Sequence, residues 1–149
     1  QVEVLDISAC DRETAQAKIF QSKLLYVSGG NTFYLLQELK KKQLLSLIKE
    51  QIADGMVYVG ESAGAIITAK DIDYNKLMDD KGVAAELHDT GALNEVDFYV
   101  LPHVGEEPFV ESAQSTLDTY SDQLNLLPLN NRQAVLVEGE EVKVLEENK

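Results

Sequence analysis

Twice in this chain an apolar, β-rich run climbs into a glycine corner and passes directly into helix-forming sequence. The first instance is YVSGGNTFYLLQEL (Tyr26–Leu39), preceded by Leu24 and Leu25; the second is MVYVGESAGAIIT (Met56–Thr68). Continuous apolar runs suit strands buried on both faces, and a strand that feeds a helix is the repeating unit of a parallel sheet. That pattern predicts an α/β domain with a largely parallel sheet and helices on both faces.

The rest of the chain fits the same frame. VEVLDIS (Val2–Ser8) predicts a short strand, and Asp11 is placed to cap a helix running to Gln21. Phe33, Leu36 and Leu39, then Leu44, Leu47 and Ile48, recur at helical spacing. Lys40, Lys41 and Lys42 mark where one helix ends and the next begins, since cations suit a helix carboxyl end. Gly55 stops the second helix. Asp71 to Thr90 is polar and has no firm period. DFYVLPH (Asp97–His103) predicts a strand, Glu111–Leu124 a helix, and QAVLVEG with EVKVLEE a hairpin turning at Glu138-Gly139-Glu140. With no internal repeat and no low-complexity linker, residues 1–149 are expected to form one domain.

Charge narrows the function. A formal net charge of −13 repels phosphate backbones, so nucleic acid is not an expected partner. No apolar run is long enough for a membrane helix, and Gln1 opens no signal peptide. The lone cysteine, Cys10, reads as a small buried hydrophobe in a cytoplasmic protein. Cys10, His88 and His103 lack metal-ligand spacing, so no metal is expected.

Gly60-Glu61-Ser62-Ala63-Gly64 has the G-x-S-x-G form in its proper setting of strand, sharp turn and helix. A serine held on a strained corner needs small neighbours two residues to either side. The helix that follows turns free N–H groups toward the site, where they favour a developing negative charge. The Ala63 N–H is the first candidate oxyanion donor. The loop Ser28-Gly29-Gly30-Asn31-Thr32 also lies at a strand end, and Gly30 lets its N–H approach a ligand closely, as a second donor must. The same loop reads equally as a tight turn with Asn31 or Thr32 as helix cap, or as a phosphate cradle without the P-loop lysine. His103, at the end of the third predicted strand, is the candidate general base; His88 is expected to be solvated.

Together YVSGGNTFYLLQEL, GESAGA (Gly60–Ala65) and LPH (Leu101–His103) make the sequence resemble the peptidase E family of serine peptidases. The resemblance implies a flavodoxin-like three-layer sandwich, similar to class I glutamine amidotransferases, with a carboxyl-terminal hairpin. It implies Ser62 as nucleophile, His103 as base and the N–H groups of Gly30 and Ala63 as oxyanion hole. It also implies cofactor-free cleavage of dipeptides that begin with aspartate.

Three departures accompany the resemblance. Family members carry a further strand-helix unit before the position of Gln1, so this chain is expected to be a fragment of a longer protein, or one whose gap another chain fills in a homo-oligomer. The family's acid on the loop before the hairpin is replaced by Asn130 and Asn131, either of which could orient the imidazole; Glu106 and Glu138 are weaker candidates for a displaced acid. Only Arg12 and Arg132 could supply a guanidinium for an aspartyl side chain. Asn31 and Arg132 are the expected substrate-binding residues. The sequence thus predicts a serine peptidase acting on small peptides. The rival reading is a weakly active or inactive binding module on the same scaffold.

Overall fold

The computed structural model describes residues 2–147 of the chain. Helix α1 (Arg12–Gln21) opens as expected, with the Asp11 side chain accepting from the Thr14 N–H. Strand β1 (Leu24–Val27) leads into α2 (Thr32–Lys41), whose cap is Asn31, accepting from the Tyr34 N–H. The lysine triplet ends α2, and Gln43 turns the chain at a φ of 55° into α3 (Leu45–Ala53). Gly55, at φ 97°, releases it into β2 (Val57–Gly60) and the one-turn helix α4 (Ala63–Ile66). Strand β3 (Tyr99–Leu101), helix α5 (Val110–Tyr120), strand β4 (Leu126–Pro128) and the hairpin β5 (Gln133–Glu138) and β6 (Glu141–Glu146) complete the order.

The class is mixed α/β with parallel strands and a carboxyl-terminal antiparallel hairpin. β1 pairs with β2 in parallel, β3 with β4 in parallel, and β5 with β6 antiparallel. Helix α4 packs against β1, β2 and β3 and so joins the first two pairs. The main core gathers Ile19, Phe33, Leu36, Leu44, Ile48 and Ile67 with Ile72 and Leu93.

Two sequence expectations are corrected, and the segment without a firm period proves to be structured. Val2–Ser8 forms no strand: residues 2–6 are irregular, a turn follows, and Val2 and Val4 are almost fully exposed. A strand exists only by its ladder, and among the described residues β1 pairs with β2 alone. Nor are β1 and β2 buried on both faces. Leu25, Val27 and Tyr58 pack on the core, whereas Leu24, Tyr26 and Val57 each remain more than half exposed on the other face. An apolar run reports that a strand could be covered, not what covers it. Finally, the segment Asp71–Thr90 is structured without a period: two 3-10 turns, Asp73–Leu77 and Lys81–Val83, bury Tyr74 and Asn75, and Asp71 bridges to Gly91.

Near the end of α2 lies a charge cluster with a pH signature. Glu38 is 5% exposed and takes the Lys42 Nζ at 3.0 Å, with Lys41 Nζ at 3.8 Å. Burial alone would raise its carboxyl, but the Lys42 and Gln37 hydrogen bonds and both ammonium charges outweigh that and hold it below its ordinary value of 4.5. A depressed folded-state pKa adds stability above the unfolded value and loses it as pH falls through the folded one. Thermal unfolding should therefore show a midpoint that drops below about pH 4.5, with this portion of the drop missing in Glu38→Gln. At neutral pH the same variant should be less stable by roughly 1.5–3 kcal/mol, the usual worth of a hydrogen bond to a charged group.

Candidate active site

The serine corner is built by backbone contact. β2 runs beside β1 with Val27 opposite Gly60, and the ladder extends one step further through Glu61 N–H donating to the Val27 carbonyl at 2.9 Å. The chain then reverses at Ser62, whose φ of 50° and ψ of −109° lie where side-chain-bearing residues are rarely found. The reversal is possible because both flanking glycines are bare. A Cβ on Gly60 would stand 2.4 Å from the Gly64 carbonyl oxygen, and one on Gly64 would stand 2.1 Å from the Val27 oxygen. Tyr58 Oη donates to the Gly64 carbonyl at 2.7 Å, pinning α4 from beneath, and burial pushes this phenol far above its ordinary range. The helix after Ser62 is a single turn, so its dipole is small. The local N–H groups matter more than any macrodipole.

His103 comes from the end of β3, two residues past Leu101, at a φ of 62°. This second left-handed corner turns its imidazole back over the serine: Nε2 is 2.9 Å from Ser62 Oγ. The far nitrogen, Nδ1, is 2.6 Å from Asn131 Oδ1. Phe109 stacks on the ring at a centroid distance of 4.7 Å and an angle of 20°, fixing the imidazole plane. Of the two asparagines, only Asn131 meets the histidine. Asn130 instead closes its own turn, accepting the Arg132 N–H at 2.8 Å.

Ser62 and His103 open onto a cavity of about 370 Å³, lined also by Gly30, Asn31, Ile66, Asn75, Met78, Asp79, Pro102 and Phe109. Gly30 borders it at a φ of 139°, and Ala63 is the first residue of α4. Among the described residues, no acceptor takes up the N–H of either. Asn31 borders the cavity while its side chain caps α2 and donates to the Asp80 carbonyl at 2.9 Å. The Thr32 N–H, which a phosphate would need, already donates to Asp79 Oδ2 at 2.8 Å. Arg132 is not brought to the cavity: its guanidinium holds the Glu147 carbonyl at 3.1 Å and ties the end of the hairpin. Glu106, Glu138 and His88 are likewise absent from the lining, and His88 is exposed.

Three lining residues escaped sequence reasoning. Phe109 follows the histidine by six positions with no pattern to single it out. Asn75 and Asp79 lie in the segment without a period, and only their four-residue spacing hinted that both could face one way.

Comparison with known proteins gives a consistent picture. The sequence model of peptidase family S51 matches residues 1–145. A peptidase of Pasteurella multocida (strain Pm70), named as uncharacterized, is 49% identical over 139 residues, covering 93% of this chain and 67% of its own length. A second uncharacterized peptidase, from Listeria monocytogenes serovar 1/2a, is 43% identical over 141 residues, 95% of this chain and 69% of the relative. The chain thus spans about two thirds of the length of these relatives. Among solved structures, a Listeria monocytogenes EGD-e protein described as a peptidase E candidate superposes with a TM-score of 0.93 at 41% identity. That match covers 99% of this chain and 71% of the other.

Proposed function

This chain belongs to peptidase family S51, and from that premise we propose that it cleaves small peptides by acyl transfer through Ser62, with His103 as general base. The observation that carries the reading is the 2.9 Å contact between Ser62 Oγ and His103 Nε2, made by two residues on separate strained corners. With Nδ1–H donating to Asn131 Oδ1, the imidazole keeps its Nε2 lone pair toward the hydroxyl. Nε2 takes the hydroxyl proton as Oγ bonds to the scissile carbonyl carbon. The carbonyl electron pair moves to oxygen, and the tetrahedral oxyanion accepts hydrogen bonds from Gly30 and Ala63 N–H. The imidazolium then protonates the leaving amine as the C–N bond breaks. Water, deprotonated by the same nitrogen, attacks the ester, and the collapsing intermediate releases the acid and Ser62. Each oxyanion donor is worth about 3–4 kcal/mol of barrier in such a site. A cavity of about 370 Å³ suits a small peptide rather than a folded chain.

Asn131 accepts a proton-bearing nitrogen without charge, so it orients the imidazole and does little to stabilise the imidazolium. That observation favours the second reading, a binding module with slow or no turnover. Intact mass after exposure to a fluorophosphonate separates the two. A single adduct on the wild type and none on Ser62→Ala is expected for an activated serine; no adduct on folded wild-type protein would favour the binding module.

A further inference from the structure

Gly30 borders the cavity on backbone that its own residue does little to hold. It lies three residues beyond the end of β1 at a φ of 139°, and a Cβ there would meet nothing within 4 Å. No side chain limits its torsions, and on that side no neighbour packs against it. What steadies the loop comes from the residues that follow. Thr32 is wholly buried; its N–H donates to Asp79 Oδ2 at 2.8 Å and its Oγ1 accepts from Asn75 Nδ2 at 3.1 Å. Asn75 Nδ2 also donates to that Asp79 oxygen at 3.0 Å, so a buried amide braces the carboxylate. Alongside, Asn31 Nδ2 donates to the Asp80 carbonyl at 2.9 Å. The bond from Thr32 N–H to a carboxylate is charge-assisted, which places it among the stronger ones.

The far end of this brace is anchored in the other parallel pair. Tyr74, next to Asn75, is buried; its Oη donates to the Val100 carbonyl in β3, and its ring meets Tyr99 edge-on at 5.3 Å between centroids. The Asn75 carbonyl in turn accepts the Asp79 N–H at 3.0 Å, which fixes the segment between them. β1 and β2 lead to Gly30 and Ser62, whereas β3 leads to His103, and the two pairs are separate among the described residues. Helix α4 is one tie between them. The run from Tyr74 through Asn75 and Asp79 to Thr32 is a second, and it ends two residues from Gly30.

Resting on the peptidase reading above, we propose that Asp79 is a positioning residue: through the Thr32 N–H, and braced by Asn75, its carboxylate fixes the Gly30 amide as oxyanion donor and holds it in register with the strand that carries His103. Asp79 touches no reacting atom in this scheme. An ordinary remote cap would stabilise α2 and leave the reaction untouched. Here the capped residue lies two positions from the donor, and a misplacement of about 1 Å in such a site costs on the order of 10²-fold in rate. The oxygen matters, not the charge. Asp79→Asn keeps an acceptor for the Thr32 N–H and the Asn75 amide, whereas Asp79→Ala removes it.

Two measurements test it, one chemical and one on the amide itself. The rate of fluorophosphonate labelling, followed by intact mass, reports the oxyanion site because the probe's phosphoryl oxygen occupies it. Asp79→Ala should react about 10- to 100-fold more slowly than the wild type, and Asp79→Asn should recover most of that loss. Glu38→Gln, which weakens α2 near its other end, controls for stability alone and should label at the wild-type rate. Relaxation of ¹⁵N-glycine-labelled protein reads Gly30 directly: its order parameter should fall from about 0.85 in the wild type to below about 0.6 in Asp79→Ala. The Gly60 and Gly64 amides should not change. Thr32→Pro, which suits the first helical position after an extended Asn31, removes the same bond from its donor side and repeats the labelling test if Asp79→Ala does not fold. A Gly30 amide equally rigid in Asp79→Ala, equal slowing in Glu38→Gln, or no recovery in Asp79→Asn would overturn the proposal. Absence of any adduct on the folded wild type sinks the hydrolase reading alone, and the relaxation of Gly30 then decides whether Asp79 holds it.

Discussion

In a His103→Ala variant, kcat for peptide hydrolysis falls by about 10⁴-fold while KM changes little, because the lost proton transfer belongs to the transition state. In a full serine-protease triad, removing the histidine costs about 10⁶ in kcat, and removing the acid alone about 10⁴ to 10⁵. In the proposed mechanism the acid's place is held by Asn131, whose Oδ1 lies 2.6 Å from Nδ1 and would preserve the productive tautomer without supplying charge. Part of the triad's advantage is therefore absent from the start, and the histidine has less to lose. Adding Ser62→Ala to His103→Ala should lower the rate no further, since the two residues act as one unit. A double variant much slower than either single one would mean that the pair does not share a step. Steady-state assays on the three proteins, with folding verified by circular dichroism, decide the matter.

Replacing Asn131 by aspartate has the opposite sign. A carboxylate at 2.6 Å from Nδ1 would stabilise the imidazolium that forms as Ser62 attacks, and kcat/KM should rise about 10- to 100-fold. The gain stays below the 10⁴ lost when a buried triad aspartate becomes asparagine, because Asn131 is exposed and water screens the new charge. Asn130→Asp is the control: its side chain closes the Arg132 turn and does not touch the imidazole, so an added charge there should leave the rate where it was. Equal gains from both substitutions would show a general effect of charge and remove Asn131 from the orienting role.

Much of this site is legible in the sequence because it is made by backbone geometry. The two glycines around Ser62 and the strand-end position of His103 are requirements of close approach, and close approach leaves its mark on residue type. The same holds for the Asp11 and Asn31 caps and for the Gly139 hairpin. The failures share a different cause. The choice between Asn130 and Asn131 is set by one residue's phase on a loop. The place of Phe109 in the lining depends on where α5 begins, and that of Asp79 on two 3-10 turns with no repeating pattern. Only its chemistry points Arg132 to the substrate, and its guanidinium is used to hold the hairpin. Val2–Ser8 has strand-like residues, but among the described residues nothing pairs with it, and local propensity does not substitute for a partner.

The two left-handed corners carry an evolutionary consequence. Backbone held in such regions costs of order 1–3 kcal/mol per residue, against a total stability of roughly 5–15 kcal/mol for a typical domain. Ser62 and His103 both stand there, so the proposed nucleophile and base are also liabilities of the fold. Glycine at either position would relieve the corner. In a lineage no longer selected for hydrolysis, drift at these sites is not random, because the first changes favoured are those that return stability. A descendant that has abandoned catalysis should therefore betray itself by glycine at the serine's position, on an otherwise intact and sturdier scaffold.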